Sequence, residues 1–311
     1  MKTRKIIIFG AGRMGLSHAA MAGLIDSSLN TVFIEPDFKT RLIFRTFIGS
    51  DIKFKSQLDK KDISSATHAI IASPPKIHEL NLDQLIKNDF KGKILIEKPI
   101  CIDPSKFKNI NNNIMSGYVL NHCYFFKVLL NDIVEEDIEN ISIVLETNQD
   151  FSTTNNNWRT ENKRTGLSLF NEFGSHCINL LTSIVQVGNL QLIENKNNYI
   201  KIIGGEKITQ SIELKANSIN VRKSVYTITI TTHERIYKTD FYSYKKRNRF
   251  SDLHSSTSLA KSGVHPKAYL RGEEFCQQMI DFLDDKKTHK NELRNAIKTD
   301  QLLDVLGGSF K

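Results

Sequence analysis

A lysine and a histidine stand where they could move a proton. Lys98 lies in Glu97-Lys98-Pro99, directly after the apolar run Ile94-Leu95-Ile96. A lysine at a strand end is a candidate proton donor or substrate-orienting group, because burial and neighbouring charge tune its pKa toward neutrality. The bland alternative is a surface lysine paired with Glu97. His176 stands four residues after Glu172 and three before Asn179, which puts all three on one helical face. A histidine one turn from a carboxylate suits an acid/base pair. The same three groups would equally serve as a satisfied core network. Trp158-Arg159 would stack on or clamp a ligand, or Trp158 would be core.

A second kind of chemistry is phosphate binding. Lys5-Ile6-Ile7-Ile8-Phe9 leads into Gly10-Ala11-Gly12-Arg13-Met14-Gly15. A short apolar run followed by G-x-G-x-x-G reads as a buried strand, a tight turn and a helix start. Gly10 permits the turn, Gly12 lets the backbone approach a pyrophosphate, and Gly15 lets the helix pack closely on the sheet. The helix N-terminus offers free N–H groups and a positive dipole end. Glu35 ends the next strand, the place of a carboxylate that accepts hydrogen bonds from an adenosine ribose. These residues point to a dinucleotide.

Strands and helices must position these groups. Thr31 to Glu35, Thr67 to Ser73, Gly92 to Ile96 and Ser116 to Asn121 read as further strands. Helical patterns run over Lys39 to Phe47 and Ile77 to Asn88, and Asp103-Pro104 opens another helix. Alternation of strand and helix predicts a parallel, doubly wound sheet covered on both faces. Ligands then lie at the carboxyl ends of its strands, which puts Gly10 to Gly15, Glu35, Ser73-Pro74-Pro75 and Glu97-Lys98-Pro99 on one rim. His18, His78 and His122 lie near that rim, with nothing in residue type to select one for a reaction. Beyond Asn121 the pattern changes. Ile141 to Thr147 reads as a strand and Gly166 to Val187 as a long helix. Tyr199 to Ile203, Thr209 to Leu214, Val225 to Thr231 and Arg235 to Tyr242 read as consecutive antiparallel strands. Helices follow over Gly272 to Asp284 and Asn291 to Leu306. The expected division is 1–121 for the dinucleotide domain and 122–311 for an α+β substrate and oligomerisation domain.

The 311 residues suffice for two domains. No apolar run is long enough for a membrane span, and the basic N-terminus does not read as a signal peptide. Four scattered cysteines lack metal-ligand or redox spacing and suit a reduced, cytoplasmic chain; no metal is expected. A net charge of +9 would attract anionic small molecules; no nucleic-acid-reading module accompanies it. The most basic cluster, Lys245-Lys246-Arg247-Asn248-Arg249, reads as a solvated loop or strand end.

In order and spacing the motifs resemble the Gfo/Idh/MocA family, the glucose-fructose oxidoreductase and inositol dehydrogenase type. The residues that carry the resemblance are Gly10 to Gly15, Ala72-Ser73-Pro74-Pro75 with His78, Glu97-Lys98-Pro99, Trp158-Arg159 and Gly174-Ser175-His176. The resemblance implies an N-terminal Rossmann domain and a C-terminal α+β domain whose open sheet forms oligomer interfaces. It implies nicotinamide-dependent redox on sugars, cyclitols or sugar nucleotides. It also implies a cis peptide at Lys98-Pro99 and a substrate facing Lys98 and His176. Three departures stand out. The family's Asp before its G-x-H is Glu172 here, its Asp three residues after the histidine is Asn179, and its glycine cluster is reduced to Thr165-Gly166.

The expectation is an NAD-dependent oxidoreductase acting on a carbinol or ketone carbon. Lys98 orients the oxygen and exchanges its proton, and His176 is the partner with Glu172 in support. Trp158, Arg159 and Asn179 line the substrate, while Gly10, Gly12, Arg13, Met14, Gly15, Glu35, Ser73, Pro74, Pro75, His78, Glu97 and Lys98 hold the cofactor. Glu35 favours NAD, since a carboxylate there repels a 2′-phosphate; Lys39 and Arg41 leave room for NADP. A homodimer or tetramer through the C-terminal sheet is expected. The rival readings are an imine or conjugated double-bond reductase and a non-catalytic dinucleotide-binding regulator.

Overall fold

The computed structural model describes residues 4–48, 52–109, 113–133, 137–149, 169–196, 198–219, 224–240 and 273–307. These fall into two compact units, residues up to 119 together with 273–294, and 120–240 together with 295–307. The first unit is therefore discontinuous in sequence, unlike the expected single cut between 121 and 122.

The first unit is built on six parallel strands. They are β1 (Lys5–Phe9), β2 (Asn30–Ile34), β3 (Lys53–Lys55), β4 (His68–Ile71), β5 (Lys93–Ile96) and β6 (Ile114–Ser116). Their order, β3-β2-β1-β4-β5-β6, is the doubly wound dinucleotide order, with its crevice where β1 meets β4. Ile6, Ile7 and Ile8 are all fully buried, so both faces of β1 are covered, as an unbroken apolar strand requires. The connecting helices are α1 (Arg13–Ile25), α2 (Phe38–Ile48), α3 (Lys60–Ser65) and α4 (His78–Lys87). Two sequence readings change here. The segment opened by Asp103-Pro104 is a 3-10 turn, Pro104–Asn109, and the last strand stops at Ser116 instead of running to Asn121. Its pairing with β5 ends at Ile96, and Val119–His122 turns as a 3-10 helix.

The helix expected over 272–284 belongs to this unit because its apolar stripe packs on α1. Cys276, Met279, Phe282 and Leu283 share one core with Ile6, Ile8, Met21 and Phe33. The loop after it closes the amino edge of the sheet. Arg4 donates to the Leu283 carbonyl at 3.2 Å, Lys93 to the Lys287 carbonyl at 3.2 Å, and the His289 N–H to the Asn113 side chain at 3.0 Å.

The second unit carries α5 (Tyr124–Asp132), β7 (Ile138–Glu146), a π-helical turn (Phe170–Gly174) and α6 (Ser175–Ile184). It continues through β8 (Gln191–Lys196), β9 (Tyr199–Gly204), β10 (Thr209–Lys215), β11 (Val225–Thr232) and β12 (Ile236–Asp240). The C-terminal helices are α7 (Glu273–Leu283) and α8 (Lys290–Val305). The second sheet has the order β12-β11-β7-β10-β9-β8 and is antiparallel except between β7 and β10. β7 alternates from Ile141 onward: Ile141, Ile143 and Leu145 are buried while Ser142, Val144 and Glu146 are half-exposed. One face is thus core and the other is open. Among the described residues no helix is long and apolar enough to cross a membrane.

Candidate functional site

The glycine turn is shaped as its spacing requires. Gly10 has φ +92°, and a Cβ there would sit 2.9 Å from the Ala72 carbonyl oxygen. A Cβ on Gly15 would lie 2.0 Å from the Gly10 carbonyl oxygen, so helix and turn touch backbone to backbone. A Cβ on Gly12 would meet nothing within 4 Å, and Gly12 caps α1 without a side-chain hydrogen bond. The first N–H groups of α1 carry no side-chain cap, which suits an anion. Arg13 is exposed beside them and Met14 half-buried.

Glu35 stands at the end of β2, and its carboxylate reaches back over the turn. One oxygen accepts the Ala11 N–H at 2.9 Å and the other the Asp37 N–H at 3.0 Å. A carboxylate has about four acceptor positions, so capacity remains for ribose hydroxyls. Arg41 donates to the carbonyls of Glu35 and Pro36, both at 2.6 Å, which anchors a guanidinium behind the same turn. The parts fit a dinucleotide: an open phosphate approach, a helix start and an acidic residue for the ribose.

The next two strand ends form the continuing rim. Ser73 is buried and its hydroxyl accepts from Asn81 at 2.8 Å; Pro74 is exposed and Pro75 buried. His78, expected among the cofactor contacts, is fully buried. Its ring lies between the carbonyls of Ser73 (Nε2, 2.8 Å) and Ile100 (Nδ1, 3.1 Å), and as a neutral imidazole it donates to one of them. It ties the β4 turn to the loop after Lys98 and has no surface to offer a ligand. Burial pushes its imidazole below the ordinary histidine range, against the pull of those carbonyls.

Glu97 is also buried, and its partner is His18, whose Nε2 lies 2.7 Å from Oε1. The surface pairing of Glu97 with Lys98 is thereby replaced by an internal one. Burial pushes the carboxyl up, but the hydrogen bond from His18 and the charges of His18 and Lys98 outweigh it, leaving a net shift downward. The group is ionised, so His18 Nε2 carries the proton of this bond. Lys98 is half-buried, and its peptide bond to Pro99 is cis.

In the second unit the π-helical turn leads straight into α6. Such turns inside helices are frequent at functional sites. Gly174 has no room for a side chain, because a Cβ would meet the Phe170 ring at 2.5 Å. His176 is half-buried on the first turn of α6, its ring edge-on to Tyr226 at 6.0 Å and 75°. The backbone of Glu172 lies in the π-helical turn. Its side chain lies outside the described residues, as do Trp158, Arg159 and Thr165-Gly166. Asn179 is 1% exposed. Its Oδ1 accepts from Asn121 at 2.8 Å and its Nδ2 donates to Thr299 at 3.1 Å. The amide joins α6 to the Val119–His122 turn and to α8, the core-network option of the two.

Sequence reasoning placed His18 near the rim without selecting it, and gave Gly117 and Tyr226 no role beyond their strands. His18 carried a signal: it follows Gly15 by three residues and so shares the face that meets the sheet. Gly117 and Tyr226 matter only through residues distant in sequence.

With six parallel strands in this order and an appended, mostly antiparallel sheet, the chain has the fold of a Rossmann domain joined to an α+β domain. The same fold is found in the myo-inositol dehydrogenase of Corynebacterium glutamicum, with TM-score 0.64 and 14% identity over 98% of this chain and 97% of that one. The scyllo-inositol dehydrogenase of Lactobacillus casei, solved with NAD(H) and scyllo-inositol, aligns with TM-score 0.63 and 13% identity over 98% and 97%. An oxidoreductase domain protein of Kribbella flavida gives 0.65 and 13% over 96% of each chain. No protein-family model matches the chain, and no curated protein matches it in sequence.

Proposed function

We propose that the chain is a Gfo/Idh/MocA-type oxidoreductase that uses NAD(P) and acts on a carbinol or ketone carbon of a sugar, cyclitol or sugar nucleotide. The observation that carries this reading is the turn at Gly10 to Gly15, open above Gly12 and bridged by the Glu35 carboxylate. When bound, the nicotinamide would accept or supply a hydride. The α1 N-terminus holds the pyrophosphate and Glu35 the ribose, with NAD favoured over NADP because Glu35 repels a 2′-phosphate. Arg41, anchored at the same turn, is the feature that would tolerate NADP. Lys98 orients the substrate oxygen and exchanges its proton. His176, with Glu172, is the second acid/base group. The first unit serves the dinucleotide and the second the substrate, with the open face of the second sheet joining copies into a dimer or tetramer. A reduced, cytoplasmic setting suits the four free thiols.

The test begins with the purified protein. Nucleotide released on denaturation is identified by mass spectrometry, and NADH and NADPH are titrated by fluorescence. Tight NADH and weak NADPH are expected; binding of neither overturns the reading. Turnover is then screened with NAD over cyclitols, sugars and sugar nucleotides. Lys98→Ala should nearly abolish it with cofactor binding intact, and lost binding with preserved turnover would contradict the assigned role. Asn179 favours one second reading, a dinucleotide-binding regulator, because its amide is consumed in packing. NADH binding without turnover on any of the panel would select it.

A further inference from the structure

We propose that His18 is a positioning residue for Lys98: through the buried Glu97 carboxylate it ties the helix of the glycine turn to the strand end that carries the lysine. This rests on the reading of Lys98 as the proton-exchanging group.

Glu97 is 7% exposed and His18 1%. A buried carboxylate persists only when paired and hydrogen-bonded. His18 supplies the pairing at Oε1, 2.7 Å away. The other oxygen, Oε2, accepts the N–H of Lys98 itself at 3.2 Å. The carboxylate folds back on the peptide that launches the lysine, so its orientation sets the orientation of that peptide. A third wall removes the remaining freedom. Gly117, at the end of β6, is so close that a Cβ there would stand 2.8 Å from Glu97 Cα and 3.0 Å from Oε2. Glu97 is thus confined by Gly117, directed by His18 and bonded to Lys98.

The His18 ring is itself held. Gly15 presses α1 onto the turn, and Phe275 of α7 stacks obliquely on the imidazole at 6.1 Å. Four parts of the fold, α1, β5, β6 and α7, therefore converge on one carboxylate next to the lysine. Removing the imidazole leaves Glu97 buried without a donor at Oε1. The carboxyl is then free to turn toward another donor, and turning releases the Lys98 N–H. A merely structural ion pair would be replaced by apolar groups of similar size with little effect on its neighbours. Here the neighbour is the candidate catalytic amine.

The test measures Lys98 without needing a substrate. Wild type, His18→Gln and His18→Leu are treated with limiting formaldehyde and borane, and dimethylation is followed at each lysine by mass spectrometry. Exposed Lys91 is the internal standard. The glutamine amide places a donor close to where imidazole Nε2 stands; leucine does not. The expected result is a severalfold change in the Lys98 rate relative to Lys91 in His18→Leu, and a wild-type rate in His18→Gln. Equal rates in all three proteins, or the same change in both variants, would overturn the proposal. If His18→Leu fails to fold, Glu97→Gln is the second variant. It keeps shape but loses the charge, and an unchanged Lys98 rate there is equally fatal. Wild type that binds neither NADH nor NADPH would sink the oxidoreductase reading instead, and the labelling rates do not depend on that outcome.

Discussion

Replacing Asn179 with aspartate is a severe test of the core assignment. The exchange turns one NH2 group into an oxygen. In the native structure Nδ2 donates to Thr299 Oγ1 at 3.1 Å, and the Thr299 hydroxyl donates onward to the Asn295 carbonyl at 2.7 Å. The only proton of that hydroxyl is spent, so an oxygen at Nδ2 would face an acceptor. The other hydrogen-bonding groups packed around the site, Asn121, Thr182 and Ser183, are uncharged. A carboxyl deprived of both water and counter-charge holds its proton to about two pH units above the ordinary aspartate value. Two units correspond to about 2.7 kcal/mol at neutral pH. While protonated, the carboxyl O–H takes the place of the amide donor toward Thr299, so the cost is that of ionisation. The sign follows from linkage. Between the ordinary aspartate pKa and the raised native one, the native state keeps a proton that the unfolded chain has released, so stability falls as pH rises. Urea unfolding followed by far-UV circular dichroism should show Asn179→Asp weaker than wild type by about 2–3 kcal/mol at pH 7.5 and by only about 0.5 at pH 4. A variant as stable as wild type at pH 7.5, or one that loses as much at pH 4, would refute the assignment.

Gly15→Ala forces a Cβ to within 2.0 Å of the Gly10 carbonyl oxygen; NADH fluorescence enhancement should vanish and stability fall by about 1–3 kcal/mol. Glu35→Gln removes the charge that repels a 2′-phosphate, so the NADPH-to-NADH affinity ratio should rise about tenfold in parallel titrations. His68, at the start of β4, is pushed down to about 4 by burial, with Arg4 and Lys93 adding to the shift and Asp285 opposing it. The unfolded chain protonates near the ordinary histidine value of 6.5. Stability should therefore fall as pH drops from 6.5 to about 4, by on the order of 3 kcal/mol, and His68→Gln should flatten that slope in denaturation curves. Cys177 is buried and its thiol pushed up by burial. Iodoacetamide should label half-buried Cys101 and Cys123 ahead of Cys177 and Cys276, as read by peptide mapping.

Local chemistry was legible in the sequence wherever one segment decides it. Gly10 to Gly15 needs only its own strand, turn and helix, and its spacing defined all three. The alternation of apolar strands and amphipathic helices defined a parallel sheet for the same reason: period and chain connectivity leave few topologies. Short elements were harder. The three-residue β3 and six-residue α3 carry too little periodicity to read, and α5 was passed over. Tertiary packing decided the rest. Asn179 read equally as ligand contact or core because its type fits both; only the arrival of Asn121 and Thr299, 58 and 120 residues away, distinguishes them. His78 became an internal tie because two carbonyls, five and 22 residues along the chain, close on its ring. Helix α7 joined the first unit because its apolar stripe meets α1 across a gap of some 250 residues that periodicity cannot see. Glu97 found His18 rather than Lys98 because a buried carboxylate takes the donor the fold delivers, 79 residues upstream, and not the ammonium beside it in the chain.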